Sequence, residues 1–162
     1  MQTRPEWDEY FMSIVEAVSL RATCNRGKCA CVVVRDQRII STGYVGTPPG
    51  VDHCDEVGHL VRKMISDDGR ARSHCVRTIH AEQNAIAQAA RYGQTLGSST
   101  FYCTMEPCRA CAMLVIAVGA ERVVAAYRYQ AGEDTRELLK QAGIALVVLN
   151  DEVMEYDSME QV

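Results

Sequence analysis

The sequence predicts an α/β protein, a β-sheet carrying helices on both faces. Three observations predict it. From His80 onward, helical and strand patterns alternate along the chain. Before that, one amphipathic helix is followed by a strand hairpin. The composition is 48% hydrophobic and 23% charged over 162 residues, ordinary for a globular chain. A chain of this length buries roughly 70% of its unfolded surface and needs no partner to build a core.

The elements follow in order. Trp7, Tyr10, Phe11, Ile14, Val15 and Val18 recur on one face of a helix entered through Pro5. Cys31 to Arg35 and Arg38 to Tyr44 are β-rich runs joined by Asp36-Gln37, which reads as a hairpin. Residues 45–79 hold Gly, Pro, Asp and His with little periodicity, apart from a short helical pattern near Leu60 to Ile65. They read as a long insertion loop, and a loop of that length needs a function or a staple. His80 to Arg91 is helical in pattern, Thr100 to Cys103 a strand, and Cys108 to Val118 a helix closed by Gly119. Arg122 to Ala126 is a strand, Thr135 to Ala142 a helix closed by Gly143, and Ile144 to Leu149 a strand. The tail over 151–162 carries five acidic residues and no basic one, and reads as a solvated end.

Several function classes are disfavoured at this stage. No apolar run approaches the roughly 20 residues of a membrane helix. The stretch from Met1 to Trp7 lacks a signal-peptide pattern, so a cytoplasmic location is expected. A net charge of −4 argues against a nucleic-acid surface and fits a small-molecule protein. Eight cysteines and four histidines without an export signal point to metal rather than to disulfides.

The chemistry concentrates in two short motifs, His80-Ala81-Glu82 and Pro107-Cys108-Arg109-Ala110-Cys111, each opening a predicted helix. Cys108 and Cys111 are three apart and share a helix face. At a helix start the dipole favours their thiolates. Two thiolates and one imidazole give three zinc ligands and leave a fourth position open, the pattern of a catalytic site. His80 and Glu82, two apart, would diverge mid-helix at about 100° per residue but can converge at a helix start. Glu82 is therefore read as a non-ligand beside the open position, placed to move protons between water and substrate. Taken singly, Cys108 and Cys111 also fit a thiol redox pair, and His80 a satisfied core histidine.

Together these motifs match the His-x-Glu and Pro-Cys-x-x-Cys signature. The chain resembles the zinc-dependent cytidine and deoxycytidylate deaminases, most of all the deoxycytidylate branch, from Arg4 to about Leu149. Besides the two metal motifs (the first continuing as Gln83-Asn84-Ala85-Ile86), four segments carry the resemblance: Arg4 to Met12, Arg21-Ala22-Thr23-Cys24, Gly43 to Pro48, and His53 to Gly58. The resemblance implies a three-layer α/β/α, cytidine-deaminase-like fold with a five-stranded mixed sheet between helices. It implies a single deaminase domain over 1–150, with the insertion loop at 45–79 and the acidic tail beyond it. It implies hydrolysis of dCMP to dUMP and ammonia through a zinc-activated water, with Glu82 as proton carrier. One position departs from the family pattern: Val45 stands where the family usually has Asn. Valine offers no side-chain hydrogen bond, so another cytosine nucleotide, such as dCTP or a 5-substituted dCMP, is the alternative substrate.

A second, structural zinc is expected from the same resemblance, on Cys24, Cys54, His59 and Cys75, with His53 and His74 as substitutes for His59. Four ligands close a tetrahedral site and would staple the long loop. Cys29, Cys31 and Cys103 read as core. For the nucleotide, Arg21, Thr23, Arg26 and Lys28 form a polar cluster after the first helix, equally readable as a solvated helix end. Tyr44 and Tyr127 or Tyr129 are candidates for stacking on a base or sugar, and Asn84 for orienting the catalytic pair. Relatives are often homo-oligomers and some respond to dCTP and dTTP, so both properties are expected here. A zinc-binding regulatory module without catalysis is the rival of another class, and a carboxylate with no ligand duty at Glu82 speaks against it.

Overall fold

The computed structural model describes residues 4–154. The chain runs α1 (Trp7–Ser19), β1 (Ala30–Arg35), β2 (Arg38–Tyr44), α2 (Cys54–Val57), β3 (Val61–Ile65), β4 (Ala71–Cys75), α3 (Ala81–Arg91) and β5 (Thr100–Met105). It continues through α4 (Arg109–Ala117), β6 (Arg122–Tyr129), α5 (Glu133–Gln141), β7 (Ala145–Val148) and β8 (Val153–Met154).

Asp36 and Gln37 take φ of 50° and 60°, the two-residue turn whose twist matches its flanking strands, and so close β1 onto β2. β1 also pairs antiparallel with β5. The strand–helix–strand units through α4 and α5 then add β6 and β7 in parallel. The main path is β2-β1-β5-β6-β7, a mixed sheet of five strands, with β8 pairing the far end of β6.

Side chains alternate across the sheet with period two. On one face Ala30, Val32, Val34, Tyr102 and Val124 pack on Phe11, Met12 and Val15 of α1. On the other, Cys31, Val33, Phe101, Cys103 and Val123 meet Ala85 and Ala89 of α3, Ala112 and Val115 of α4, and Leu139 of α5. The result is α/β/α in three layers. Asp8 ties α1 to the sheet from its rim, taking two hydrogen bonds from Arg122 (2.8 and 2.7 Å) and one from the Tyr102 hydroxyl (2.8 Å).

α3 lies against β2 more closely than a side chain allows. A Cβ at Gly43 would collide with the Ala81 carbonyl and the Ala85 amide nitrogen. The approach lets Ser41 Oγ donate to the Ala85 carbonyl at 2.7 Å, and Asn84 Nδ2 to the Tyr44 carbonyl at 2.9 Å. The start of α3, where His80 sits, is thereby fixed on the sheet.

The 45–79 segment differs from its reading as a structureless loop. Leu60 to Ile65 does not form a helix: Val61–Ile65 is a strand paired antiparallel with Ala71–Cys75. Its apolar spacing satisfied a helical period, but β3 is exposed along its length and has no core to bury a helical face against. A turn closed by Ser66 N–H to the Arg70 carbonyl at 2.8 Å, with Gly69 at φ 77°, pairs it instead. The tail also differs at its start. Arg128 donates to Asp151 at 2.9 and 2.6 Å, and Val153–Met154 pairs with β6. The rest of the tail, 155–162, lies outside the described residues. Among the described residues no helix is long and apolar enough to cross a membrane.

Candidate active site

Two helix starts meet at the ends of their strands. His80 is the residue before the first turn of α3, in extended geometry (φ −71°, ψ 158°), and its N–H donates to Gln83 Oε1 at 3.0 Å. Cys108 holds the same place on α4 (φ −67°, ψ 166°), and Cys111 follows one turn later. The α4 start is capped from outside: Arg109 N–H donates to Asp67 Oδ2 at 3.2 Å, a carboxylate at the positive end of the helix.

His80 Nδ1 lies 3.5 Å from Cys108 Sγ and 3.3 Å from Cys111 Sγ. All three ligand atoms fall within 4.8 Å of one another, and both cysteines are free thiols. Tetrahedral zinc at ordinary bond lengths sets its nitrogen and sulfur donors about 3.6 Å apart and two sulfurs about 3.8 Å apart. The trio fits such an ion. Its protonation is also suited to one. The hydrogen bond from Cys111, together with His80 beside it, draws the Cys108 thiol down to about 4. The same contact with Cys108 lifts His80 to about 9 and pushes Cys111 up. One sulfur is thus ionised at neutral pH, and a cation would favour ionising the second.

Glu82 is not among the converging ligand atoms. It is 8% exposed, and it lines the same cleft as His80 and Cys108. Burial raises its pKa, opposed by the charge of His80. The cleft encloses about 790 Å³, including its open mouth. Its walls come from the segment before β1 (Arg26, Gly27, Cys29), from β4 (Ser73, His74) and from Tyr129 at the end of β6.

A second set of donors converges beneath the β3–β4 hairpin. Cys24, Cys54, His59 and Cys75 bring their ligand atoms within 4.8 Å of one another. Cys24 Sγ is 3.6 Å from His59 Nδ1, and Cys54 Sγ is 3.6 Å from Cys75 Sγ, far beyond a disulfide and at the spacing of shared ligands. Burial and the neighbouring thiols push Cys54 up to about 12. Cys75 moves down despite burial, through backbone hydrogen bonds at Arg77 and Leu60 and bonds with Cys54 and Cys24. The two alternative histidines stand elsewhere. His53 Nδ1 is 2.6 Å from Thr47 Oγ1, and His74 Nε2 is 3.4 Å from Ser66 Oγ, with His74 on the catalytic cleft.

The expected nucleotide contacts divide. Val45 and Tyr129 line the cleft. Arg21, Thr23, Tyr44 and Asn84 do not. Arg21 is exposed, and Tyr44 packs on the α1 side of the sheet. Thr23 Oγ1 accepts the Thr47 N–H at 3.3 Å within the loop, and Asn84 spends its amide on the Tyr44 carbonyl. Of the cation cluster after α1, Arg26 alone reaches the cleft, where it is 7% exposed and donates to the Ser73 carbonyl at 3.1 Å. Cys29 and Cys103, read as core, also touch the cleft wall.

One buried charged residue of the cleft went unread in the sequence. Glu106, 2% exposed, stands between Met105 and Pro107 and lines the cleft. A carboxylate closing an apolar strand was its only signal, since the arginines that pair with it, Arg136 and more loosely Arg128, both lie beyond α4.

Residues 5–127 match the family described as the cytidine and deoxycytidylate deaminase zinc-binding region. The chain is 36% identical to ComE operon protein 2 of Bacillus subtilis over 98% of its own length and 80% of that protein's. It is 41% identical to the deoxycytidylate deaminase of Mycobacterium phage D29, over 75% of this chain and 95% of that one. It spans only 44% and 45% of the longer fission and budding yeast deoxycytidylate deaminases that it also matches. Among solved structures, the dCMP deaminase of cyanophage S-TIM5 in complex with dCMP and dUMP superposes with a TM-score of 0.71 at 26% identity, over 91% of this chain and 99% of that one.

Proposed function

The chain belongs to the cytidine and deoxycytidylate deaminase family, and we propose that it hydrolyses dCMP to dUMP and ammonia in the cytoplasm, with 1–150 as its deaminase domain. The carrying observation is the convergence of His80, Cys108 and Cys111 with a buried, non-ligand Glu82 on one cleft wall. When bound by those three donors, zinc supplies a Lewis acid that brings a water's pKa to about 7. Glu82 would carry one proton from the attacking water to the ring nitrogen of cytosine as the water oxygen bonds to C4, then the second, from the new C4 hydroxyl, to the amino group as the C4–N bond breaks and ammonia leaves. Burial keeps the carboxylate out of bulk water, where it would exchange protons with solvent instead. Arg26, the buried cation on the wall, is the group suited to the 5′-phosphate. Tyr129 offers a half-apolar face to the base or sugar.

The second donor set is proposed to hold a structural zinc, giving two ions per chain. Its ligands come from the end of the α1 loop, from α2 and its flank, and from β4, so one ion would pin three loop segments. Homo-oligomerisation and a response to dCTP or dTTP belong to the same proposal, and are checked by light scattering and by assays with each nucleotide.

Val45 favours a second reading. It presents only methyl groups to the cleft, while its N–H goes to the Cys29 carbonyl (2.9 Å) and its carbonyl takes the Thr23 N–H (3.2 Å). An apolar wall there suits a cytosine nucleotide carrying a 5-substituent. Ammonia release measured over cytidine, deoxycytidine, CMP, dCMP, dCTP and 5-substituted dCMP separates the readings. Turnover confined to dCMP supports the first. No release from any of them sinks both.

A further inference from the structure

Glu106 poses a problem that catalysis does not solve. Its side chain is fully buried, yet it carries a charge into the wall of the cleft. Desolvating a carboxylate costs several kcal/mol, and an apolar replacement is often neutral or better for stability. Its partners show what the charge achieves. Glu106 Oε1 accepts from Arg136 Nε at 2.8 Å, and Oε2 from Arg136 Nη2 at 2.9 Å, a two-pronged pair. Oε2 also accepts the Tyr129 N–H at 2.9 Å, and a second, looser cation, Arg128 Nη1, stands 3.8 Å from Oε1. The fit is tight: a Cβ at Gly132, the residue before α5, would stand 2.7 Å from Oε2. Two residues along the chain from Glu106, Cys108 carries its sulfur to the metal set.

We propose that Glu106 and Arg136 are a positioning pair that locks the Cys108 turn and the Tyr129 wall to the start of α5, holding the metal ligand and one wall of the cleft in mutual register. The geometry supports this over a purely structural role. One carboxylate joins the side chains of three elements, the β5–α4 turn, the end of β6 and α5, whose backbones are already tied by Glu106 N–H to the Tyr127 carbonyl (2.9 Å) and Gly132 N–H to the Tyr129 carbonyl (3.1 Å). A fork that engages both carboxylate oxygens fixes orientation as well as distance, which a lysine's point charge does not.

The test uses the whole chain and Arg136→Met, Arg136→Lys and Glu106→Gln, with Arg122→Met as the control. Arg122→Met breaks an ion pair at the rim of α1 whose arginine is as exposed as Arg136 but whose carboxylate, unlike Glu106, is partly in solvent. The first readout is zinc release to a chromophoric chelator. Loss of an outer partner of a metal ligand weakens binding by roughly 10- to 100-fold. Arg136→Met is expected to speed release of one zinc by about 10-fold or more. Arg136→Lys should recover only part of this, and Arg122→Met should release both ions at the wild-type rate. The second readout is amide hydrogen exchange on the protein as purified, which does not depend on the chelator assay. Arg136→Met and Glu106→Gln should raise exchange at 106–111 and at Tyr129 while α1 is unchanged. Exchange at those residues no faster than in wild type overturns the proposal, as does equal acceleration in Arg122→Met. A wild-type chain without zinc at His80, Cys108 and Cys111 overturns the functional reading and leaves the exchange result to decide this one. If Arg136→Met does not fold, Glu106→Gln carries the same exchange test.

Discussion

His80 Nδ1 and Cys111 Sγ stand 3.3 Å apart although 31 residues separate them in sequence. A shared cation would use both groups as ligands at that spacing. His80→Ala should therefore cut bound zinc by about one ion per chain and abolish ammonia release, with the remaining ion still held by the Cys24 set. Metal counting on purified protein checks it. A full complement of zinc in His80→Ala would refute the assignment.

A substitution at Glu82 tests whether catalysis and metal binding are separable. Glu82→Gln should keep its zinc and its melting temperature within a few degrees, because the amide preserves shape. The rate should fall by about 100-fold or more, the usual worth of a positioned proton carrier. Metal content and kcat measured on one preparation give the answer. Loss of zinc in Glu82→Gln would make the carboxylate a ligand.

Holding a zinc, the four-donor cluster would act as a stability element. Cys54→Ser should lose one zinc and lower the melting temperature by about 5 °C or more. The effect should be greatest in the hairpin of β3 and β4, whose strands have little core of their own. Limited proteolysis within 58–75 would report its loosening. Melting and cleavage identical to wild type would show that the cluster carries no load.

The Asp8–Arg122 pair predicts an acid-sensitive contribution. Hydrogen bonds from Arg122, then from Tyr102, hold the Asp8 carboxyl below its ordinary 3.8, with burial opposing them. A carboxylate depressed in the fold stabilises above its unfolded pKa and loses that stabilisation as pH falls through the folded value. Asp8→Asn should thus cost about 1 kcal/mol at pH 7. The cost should shrink below pH 3.8. Urea titrations of both proteins across that range test the sign. A gap that widens toward acid would contradict it.

Gly43→Ala should be among the most damaging single methyl additions. The new Cβ meets backbone atoms of Ala81 and Ala85, which cannot turn aside as a side chain would. A loss of about 1–3 kcal/mol is expected, with a fall in activity as α3 and His80 shift. Circular dichroism melting and kcat read the two effects. Unchanged values for both would mean that α3 is free to move off β2.

What the sequence alone determined here is whatever local pattern encodes. The period of apolar residues marked the helices and strands, Asp36-Gln37 marked the hairpin, and two short motifs at helix starts marked the zinc donors. The His80, Cys108 and Cys111 set was legible because each motif fixes its own geometry within a turn, whereas the Cys24, Cys54, His59 and Cys75 set was expected from the family resemblance alone. Tertiary structure decided the rest. It chose strand over helix for Val61–Ile65, because a partner strand was available and a buried face was not. Residues near one another in sequence parted company: Arg26 turned into the cleft and Arg21 out to solvent, and Asn84 went to the Tyr44 carbonyl. Glu106 gained its meaning only where Arg136 and Tyr129 meet it. The physical reason is common to all of these. Backbone preference and periodicity act over a few residues, whereas burial, charge pairing and the lining of a cavity depend on which distant segments the fold brings together.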